Sequence, residues 1–129
     1  MPSIERYPLV LPLPIPVPLS RMVRAGGFLF LSGQIPLGVD GQLVRGDIRS
    51  QTDAAIERIK DSLAAAGASL KDVVRVTVWL SDMALFEGFN ETYADHFPSD
   101  FPTRSTVQAK LALDVDVEIE VQAWIGEAI

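Results

Sequence analysis

The sequence has no cysteine, one histidine and three lysines among 129 residues. Without cysteine there are no disulfides, thiolate metal sites, iron–sulfur clusters or thiol nucleophiles. A single histidine leaves little for an imidazole metal site or a histidine-based triad. Eleven basic residues face seventeen carboxylates, giving a net charge of −6 and a pI near 4.6. That balance argues against a protein that tracks nucleic-acid phosphates. No apolar run is long and proline-free enough to span a membrane, and no export signal with a small-residue cleavage site is present, so a cytoplasmic protein is expected. The GxGxxG, P-loop and GxSxG patterns are also missing.

What is present is apolar. Hydrophobic residues make up 48% of the chain and mean hydropathy is +0.23, although 22% of residues are charged. This balance excludes disorder, and the length suits one domain. A domain this small has limited interior, so the apolar excess predicts burial against other subunits.

Prolines at 8, 12, 14, 16 and 18 rule out a helix or a central strand over residues 8–19. Their alternation with Leu13, Ile15, Val17 and Leu19 reads as an extended, polyproline-like arm with one greasy face. Aliphatic side chains favour an arm docked on its own protein over an SH3-type ligand. Residues 1–18 are accordingly assigned to an N-terminal arm and 19–129 to one α+β domain. Two short strands between Val23 and Leu31 flank a turn at Gly26-Gly27, and a loop or short hairpin covers Gly38–Gly46. Asp47 is a suitable N-cap for a long helix whose stripe holds Ile48, Thr52, Ala55, Ile56, Ile59, Leu63 and Ala66, stopped by Gly67.

A strand follows over 72–80, with Val74, Val76, Val78 and Leu80 on one face and Arg75, Thr77 and Trp79 on the other. Ser81 or Asp82 caps a second helix with a stripe of Met83, Phe86, Asn90, Tyr93 and Phe97. Two strands close the chain, near 103–110 and 117–125. In the last, Val115, Val117, Ile119, Val121 and Ala123 oppose Asp116, Glu118, Glu120, Gln122 and Trp124. If these two strands pair antiparallel, matching their apolar faces puts Arg104, Thr106, Glu118 and Glu120 on one shared face.

That face carries the candidate chemistry. Arg104 could grip a carboxylate with two parallel hydrogen bonds, although spacing alone favours an ordinary ion pair with Glu118 or Glu120. The two glutamates could hold and activate a water, or simply form a solvated acidic strand face. His96, at the end of the second helix, suits a capping or surface role. Gly33 allows close backbone approach or a turn, and the aromatic residues read as core and interface.

Several motifs occur together in order: Ser32-Gly33-Gln34-Ile35-Pro36, Gln51-Thr52, Asp72-Val73-Val74 with Thr77-Val78, Phe86 and Phe89-Asn90-Glu91-Thr92-Tyr93, Pro102-Thr103-Arg104-Ser105, and Val117-Glu118-Ile119-Glu120. From about Leu19 to Trp124 the chain resembles the reactive intermediate/imine deaminase family (Rid, YjgF-type). The resemblance implies a chorismate-mutase-like α+β fold, a mixed sheet with two helices on one face, assembled as a homotrimer with clefts between subunits. It also implies hydrolysis of amino-acid-derived enamines and imines to a 2-oxo acid and ammonia, with no metal or organic cofactor. Carried over by position, Arg104 binds the substrate carboxylate and Glu118 holds the attacking water. Gly33 and Asn90 line the cleft.

Two positions depart from the best-known deaminases. Thr106 stands where they carry cysteine, and Leu19 where they carry a cleft tyrosine. Thr106 keeps a backbone N–H and a hydroxyl for the carboxylate. Leu19 makes the cleft greasier, which fits a longer or more apolar enamine acid. These same departures motivate a second reading, a non-catalytic trimer that binds 2-oxo acids or related carboxylates. A ribonuclease activity, long attached to some members, is disfavoured by the acidic charge.

Overall fold

The computed structural model describes residues 3–10 and 16–126. Pro12, Leu13, Pro14 and Ile15 of the arm lie outside the described residues. The described chain forms β1 (Ile4–Tyr7), β2 (Met22–Ala25), β3 (Phe28–Leu31), α1 (Ile48–Ala65), β4 (Val73–Leu80), α2 (Phe86–His96), β5 (Thr103–Gln108) and β6 (Val117–Trp124). The strands make one six-stranded sheet in the order β1-β2-β3-β6-β4-β5. Only β4 and β5 run parallel, and α2 is the crossover that such a pair requires.

Local chemistry explains most of these elements. Gly26 takes φ +59 in the β2–β3 turn, a conformation that costs glycine nothing. Asp47 Oδ1 accepts from the Ser50 N–H at 2.9 Å and caps α1. At the other end Gly67, at φ +75, lets its own N–H bond the Ala64 carbonyl and the Ala68 N–H bond Leu63. This is a Schellman stop. Thr52, Ala55, Ile56, Ile59 and Leu63 are buried as the stripe predicts, while Ile48 and Ala66 lie partly buried at the edge of the core. Both helices share one hydrophobic core with Met22, Leu29, Val76, Val78, Leu80 and the Val117–Ala123 side of β6. Among the described residues no helix is long and apolar enough to cross a membrane.

Four expectations need correction. First, β5 and β6 are not neighbours. β4 lies between them, parallel to β5 and antiparallel to β6. Arg104 pairs with Val76, and Val76 with Val121, so Arg104 and Thr106 share the helix-covered side of the sheet. Glu118 pairs with Trp79 and Glu120 with Thr77, which puts both glutamates on the opposite side. Alternation assigns faces within a strand but says nothing about strand order.

Second, Val74 is exposed, because the pairing slips between Val73 and Arg75 and a bulge shifts the start of β4 by one residue. Third, Asp82 caps a short 3-10 turn over Met83–Leu85, and α2 begins only at Phe86. Met83 and Phe86 are therefore exposed, and the buried residues of this stretch are Phe89, Thr92, Tyr93 and Phe97. Fourth, residues 4–7, to which no element was assigned, form the edge strand β1 along β2.

A buried polar network ties the start of α1 to the sheet. Gln51 Nε2 donates to the Gly46 carbonyl and to Asp116 Oδ2, both at 2.9 Å, and Oε1 accepts the Asp116 N–H at 2.8 Å. Ser81 Oγ completes the network by donating to Asp116 Oδ1 at 2.7 Å. Gln51→Leu would remove all three glutamine bonds and leave partly buried groups unpaired. A loss of about 1–3 kcal/mol is expected, read as a lower urea midpoint with an unchanged m-value.

Candidate functional site

The six residues singled out from sequence fall into two separate groups. Leu19, Gly33 and Glu118 form one, and Asn90, Arg104 and Thr106 the other.

Glu118 sits on the helix-free side of β6, where the chain after β3 bridges to it. Gln34 donates to the Ile119 carbonyl at 2.7 Å and accepts the Ile119 N–H at 3.0 Å. The backbone of Gly33 thereby lies against the Glu118 side chain. A Cβ at Gly33 would stand 2.3 Å from Glu118 Oε2, so only glycine leaves room for the carboxylate in this position. Partial burial pushes the Glu118 carboxyl above the ordinary carboxylate range, and the like charge of Glu120 adds to the shift. Gly33 and Leu19 both line a cavity of about 200 Å³.

Arg104 leaves β5 under α2. Nη2 donates to Asn90 Oδ1 at 2.7 Å. Its guanidinium carbon stands 4.8 Å from the Tyr93 ring centroid, 5.4 Å from Phe89 and 5.7 Å from Phe86. Three aromatic rings thus fix the cation by stacking and cation–π attraction, and no carboxylate neutralises it among the described ion pairs. The ion pair with Glu118 or Glu120 that spacing favoured is absent there, because the strand order separates them. Asn90, Tyr93, Phe97, Phe101 and Pro102 line a shallow depression with Arg104. Burial pushes the Tyr93 phenol above its ordinary range, against the opposing pull of Arg104. Thr106 follows on the same side of β5, level with Val78.

The aromatic cage was not foreseen as part of the site. Its signal was the helical spacing of Phe86, Phe89 and Tyr93 around Asn90, which was read as core and interface. His96 has a more definite place than capping. Its Nε2 lies 2.8 Å from Asp53 Oδ1 and, with the Arg49–Glu91 ion pair, joins α2 to α1.

The helix-free side of the sheet is not a plain polar surface. Phe28, Phe30, Val107 and Trp124 are exposed, and Phe28 packs edge-on against Trp124 at 4.8 Å between centroids. An acidic patch therefore adjoins an exposed aromatic one.

The chain matches the sequence profile of the endoribonuclease L-PSP family over residues 13–125. It is 47% identical over 109 residues to a RutC family protein of Pyrococcus horikoshii, covering 83% of this chain and 86% of that one. It is 38% identical over 110 residues to Reactive Intermediate Deaminase A, chloroplastic, of Arabidopsis thaliana, covering 84% of this chain and 59% of that protein. The crystal structure of yeast Mmf1 superposes with a TM-score of 0.87 at 36% identity, covering 95% of this chain and 98% of that one. An unbroken match of this extent, on the same fold, shows that the chain belongs to the endoribonuclease L-PSP family, the YjgF-type Rid family.

Proposed function

We propose that the protein is a homotrimeric, cytoplasmic deaminase that hydrolyses enamines and imines derived from amino acids to 2-oxo acids and ammonia. The observation that carries this reading is the division of the site. A caged arginine without a carboxylate partner among the described residues lies on one side of the sheet, and a carboxylate with a raised pKa lies on the other. Each half is chemically incomplete. If the helix-free face of one copy packs against the β5 edge of the next, Glu118 and Gly33 of the first can meet Arg104 of the second, and a closed cyclic arrangement satisfies every copy equally. The residue roles are those the family resemblance implies.

The chemistry then follows simply. An enamine first tautomerises to the imine, whose carbon is electrophilic. Arg104 and Asn90 hold the substrate carboxylate, and Glu118 positions a water against that carbon. As the water oxygen bonds to carbon, its proton passes to Glu118 and the carbon–nitrogen π pair moves to nitrogen. Glu118 hands the proton to nitrogen, giving the carbinolamine, then takes its hydroxyl proton and delivers that to the amino group as well, so the carbon–nitrogen bond breaks with ammonia leaving as the carbonyl forms. One water is consumed, and one 2-oxo acid and one ammonia leave. A carboxylate with a raised pKa is the better base for this step.

The test is oxo-acid and ammonia release from freshly generated aminoacrylate, measured above the spontaneous rate, with sedimentation to establish the trimer. A binding-only trimer would take up 2-oxo acids without accelerating release. Gly33→Ala should keep the fold, because the glycine is partly exposed and the obstructing atom ends a flexible side chain. Its added methyl displaces the Glu118 carboxylate, and turnover is expected to fall by about 100-fold, as small misplacements of a reacting group typically cost.

A further inference from the structure

We propose that the cavity beside Gly33 receives the side chain of the substrate, and that this chain's preferred substrates are imines of branched aliphatic amino acids. The proposal rests on the deaminase reading above and adds a specificity to it.

Position is the first argument. Ser32, Gly33 and Gln34 form one wall of the 200 Å³ cavity, and Gly33 is the residue against which the Glu118 carboxylate lies. Gly33 thus belongs both to the wall of this cavity and to the immediate surroundings of the Glu118 carboxylate.

The lining is the second argument. Leu9, Val10, Leu19, Ile35, Leu37 and Val39 supply aliphatic surface from the segment after β1, the approach to β2 and the loop after β3. Four of them are exposed: Leu9 37%, Val10 66%, Leu19 44% and Val39 81%. Aliphatic side chains left in water around one concavity gain from an apolar occupant. Most polar groups in the wall are already engaged within the protein. Arg58 Nη1 donates to the Leu37 carbonyl at 2.7 Å and its Nε to Asp61 Oδ2 at 3.1 Å. Ser32 Oγ donates to the Ser20 carbonyl at 2.6 Å, and Gln34 Nε2 to the Ser32 carbonyl at 3.1 Å. Arg21 is the exception. Its Nη2 reaches the Asp61 carbonyl at 3.4 Å, but its buried Nε has no partner among the described residues. A side chain ending in a carboxylate is thus the rival occupant.

Size is the third argument. The single-carbon side chain of the imine tautomer of aminoacrylate would leave most of the space empty and its lining without contacts. An isobutyl group fills more of it and brings no polar atom.

The experiment compares imines generated in situ by an amino-acid oxidase from leucine, alanine and glutamate. The leucine-derived imine is expected to exceed each of the others in kcat/KM by about tenfold or more. Val39→Trp and Val10→Trp, at two exposed lining positions, should each cut the leucine-to-alanine ratio by about fivefold or more. In parallel, calorimetry should find that wild-type protein binds 4-methyl-2-oxopentanoate about tenfold tighter than pyruvate, a preference both variants reduce. Equal kcat/KM for the leucine and alanine imines, or a ratio unmoved in both variants, would overturn the cavity assignment and leave deamination intact. Best turnover of the glutamate imine would overturn it in favour of Arg21. Turnover of no imine, with the binding preference retained and lost in the variants, would overturn the deaminase reading while supporting the cavity. Neither turnover nor a binding preference would overturn both.

Discussion

Arg104→Ala is expected to lower kcat/KM for amino-acid-derived imines by about 100- to 1,000-fold without unfolding the protein. The size of the loss follows from removing a charge-assisted, two-pronged contact to a carboxylate whose pairing is not replaced. Arg104→Lys should rescue little, because an ammonium can neither present two parallel donors nor stack as a plane among Phe86, Phe89 and Tyr93. Steady-state kinetics on the purified variants checks both. A sharper form mixes two inactive proteins. Arg104→Ala subunits retain Glu118, and Glu118→Gln subunits retain Arg104. Co-refolded in equal amounts, they should recover about a quarter of wild-type activity, since half of the copies of each kind meet a complementary neighbour in a cyclic trimer. A site built within one chain would recover none.

The second large effect is at Glu118. Glu118→Gln keeps the shape and removes the base, so kcat should fall by about 100- to 10,000-fold. The same change should slightly raise the melting temperature near neutral pH. Burial, reinforced by Glu120, raises the folded-state pKa of Glu118. A carboxyl shifted in this direction stabilises the fold below its unfolded pKa. That stabilisation is lost as pH rises through the folded value. At neutral pH the ionised carboxylate therefore weakens the protein, and glutamine relieves this. For catalysis the ionised form is needed, so the wild-type rate should decline on acidification earlier than an ordinary carboxylate would dictate. A pH profile of kcat/KM, set beside melting curves of both proteins across the same range, tests both expectations. Loss of activity with a gain in stability would mark Glu118 as a residue kept for chemistry.

Much of this arrangement was legible before any coordinates. The Asp47 cap, the Gly67 stop and the alternation from Val115 to Ala123 are local patterns, and local chemistry decides them. Arg104 and Glu118 stood out in the sequence as isolated groups, but their placement on opposite sides of the sheet did not. Pairing partners of a strand are chosen by long-range packing, and nothing in the two-residue period of β5 or β6 reveals that β4 lies between them. The bulge at Val73–Arg75 inverted Val74 for a similar reason, since one extra residue changes every face before it. The cage around Arg104 escaped notice because one helical stripe serves both core and site. Phe89 and Tyr93 are buried by the hydrophobic core and present ring faces to the guanidinium at the same time.

The edge pair β1–β2 has a consequence for how such a protein can change. Tyr7 pairs with Met22, and the Arg21 N–H donates to the Tyr7 carbonyl at 2.9 Å, so the two ends of the excursion between them are held at the same place on the sheet. Residues inserted, deleted or exchanged within that excursion alter no strand register, because both of its ends are already fixed. Leu9, Val10 and Leu19 belong to it, whereas Arg104, Asn90 and Glu118 do not. The lining of the cavity beside Gly33 can thus be rewritten by mutation as an independent unit, while the proposed site at Arg104, Asn90 and Glu118 is inherited unchanged.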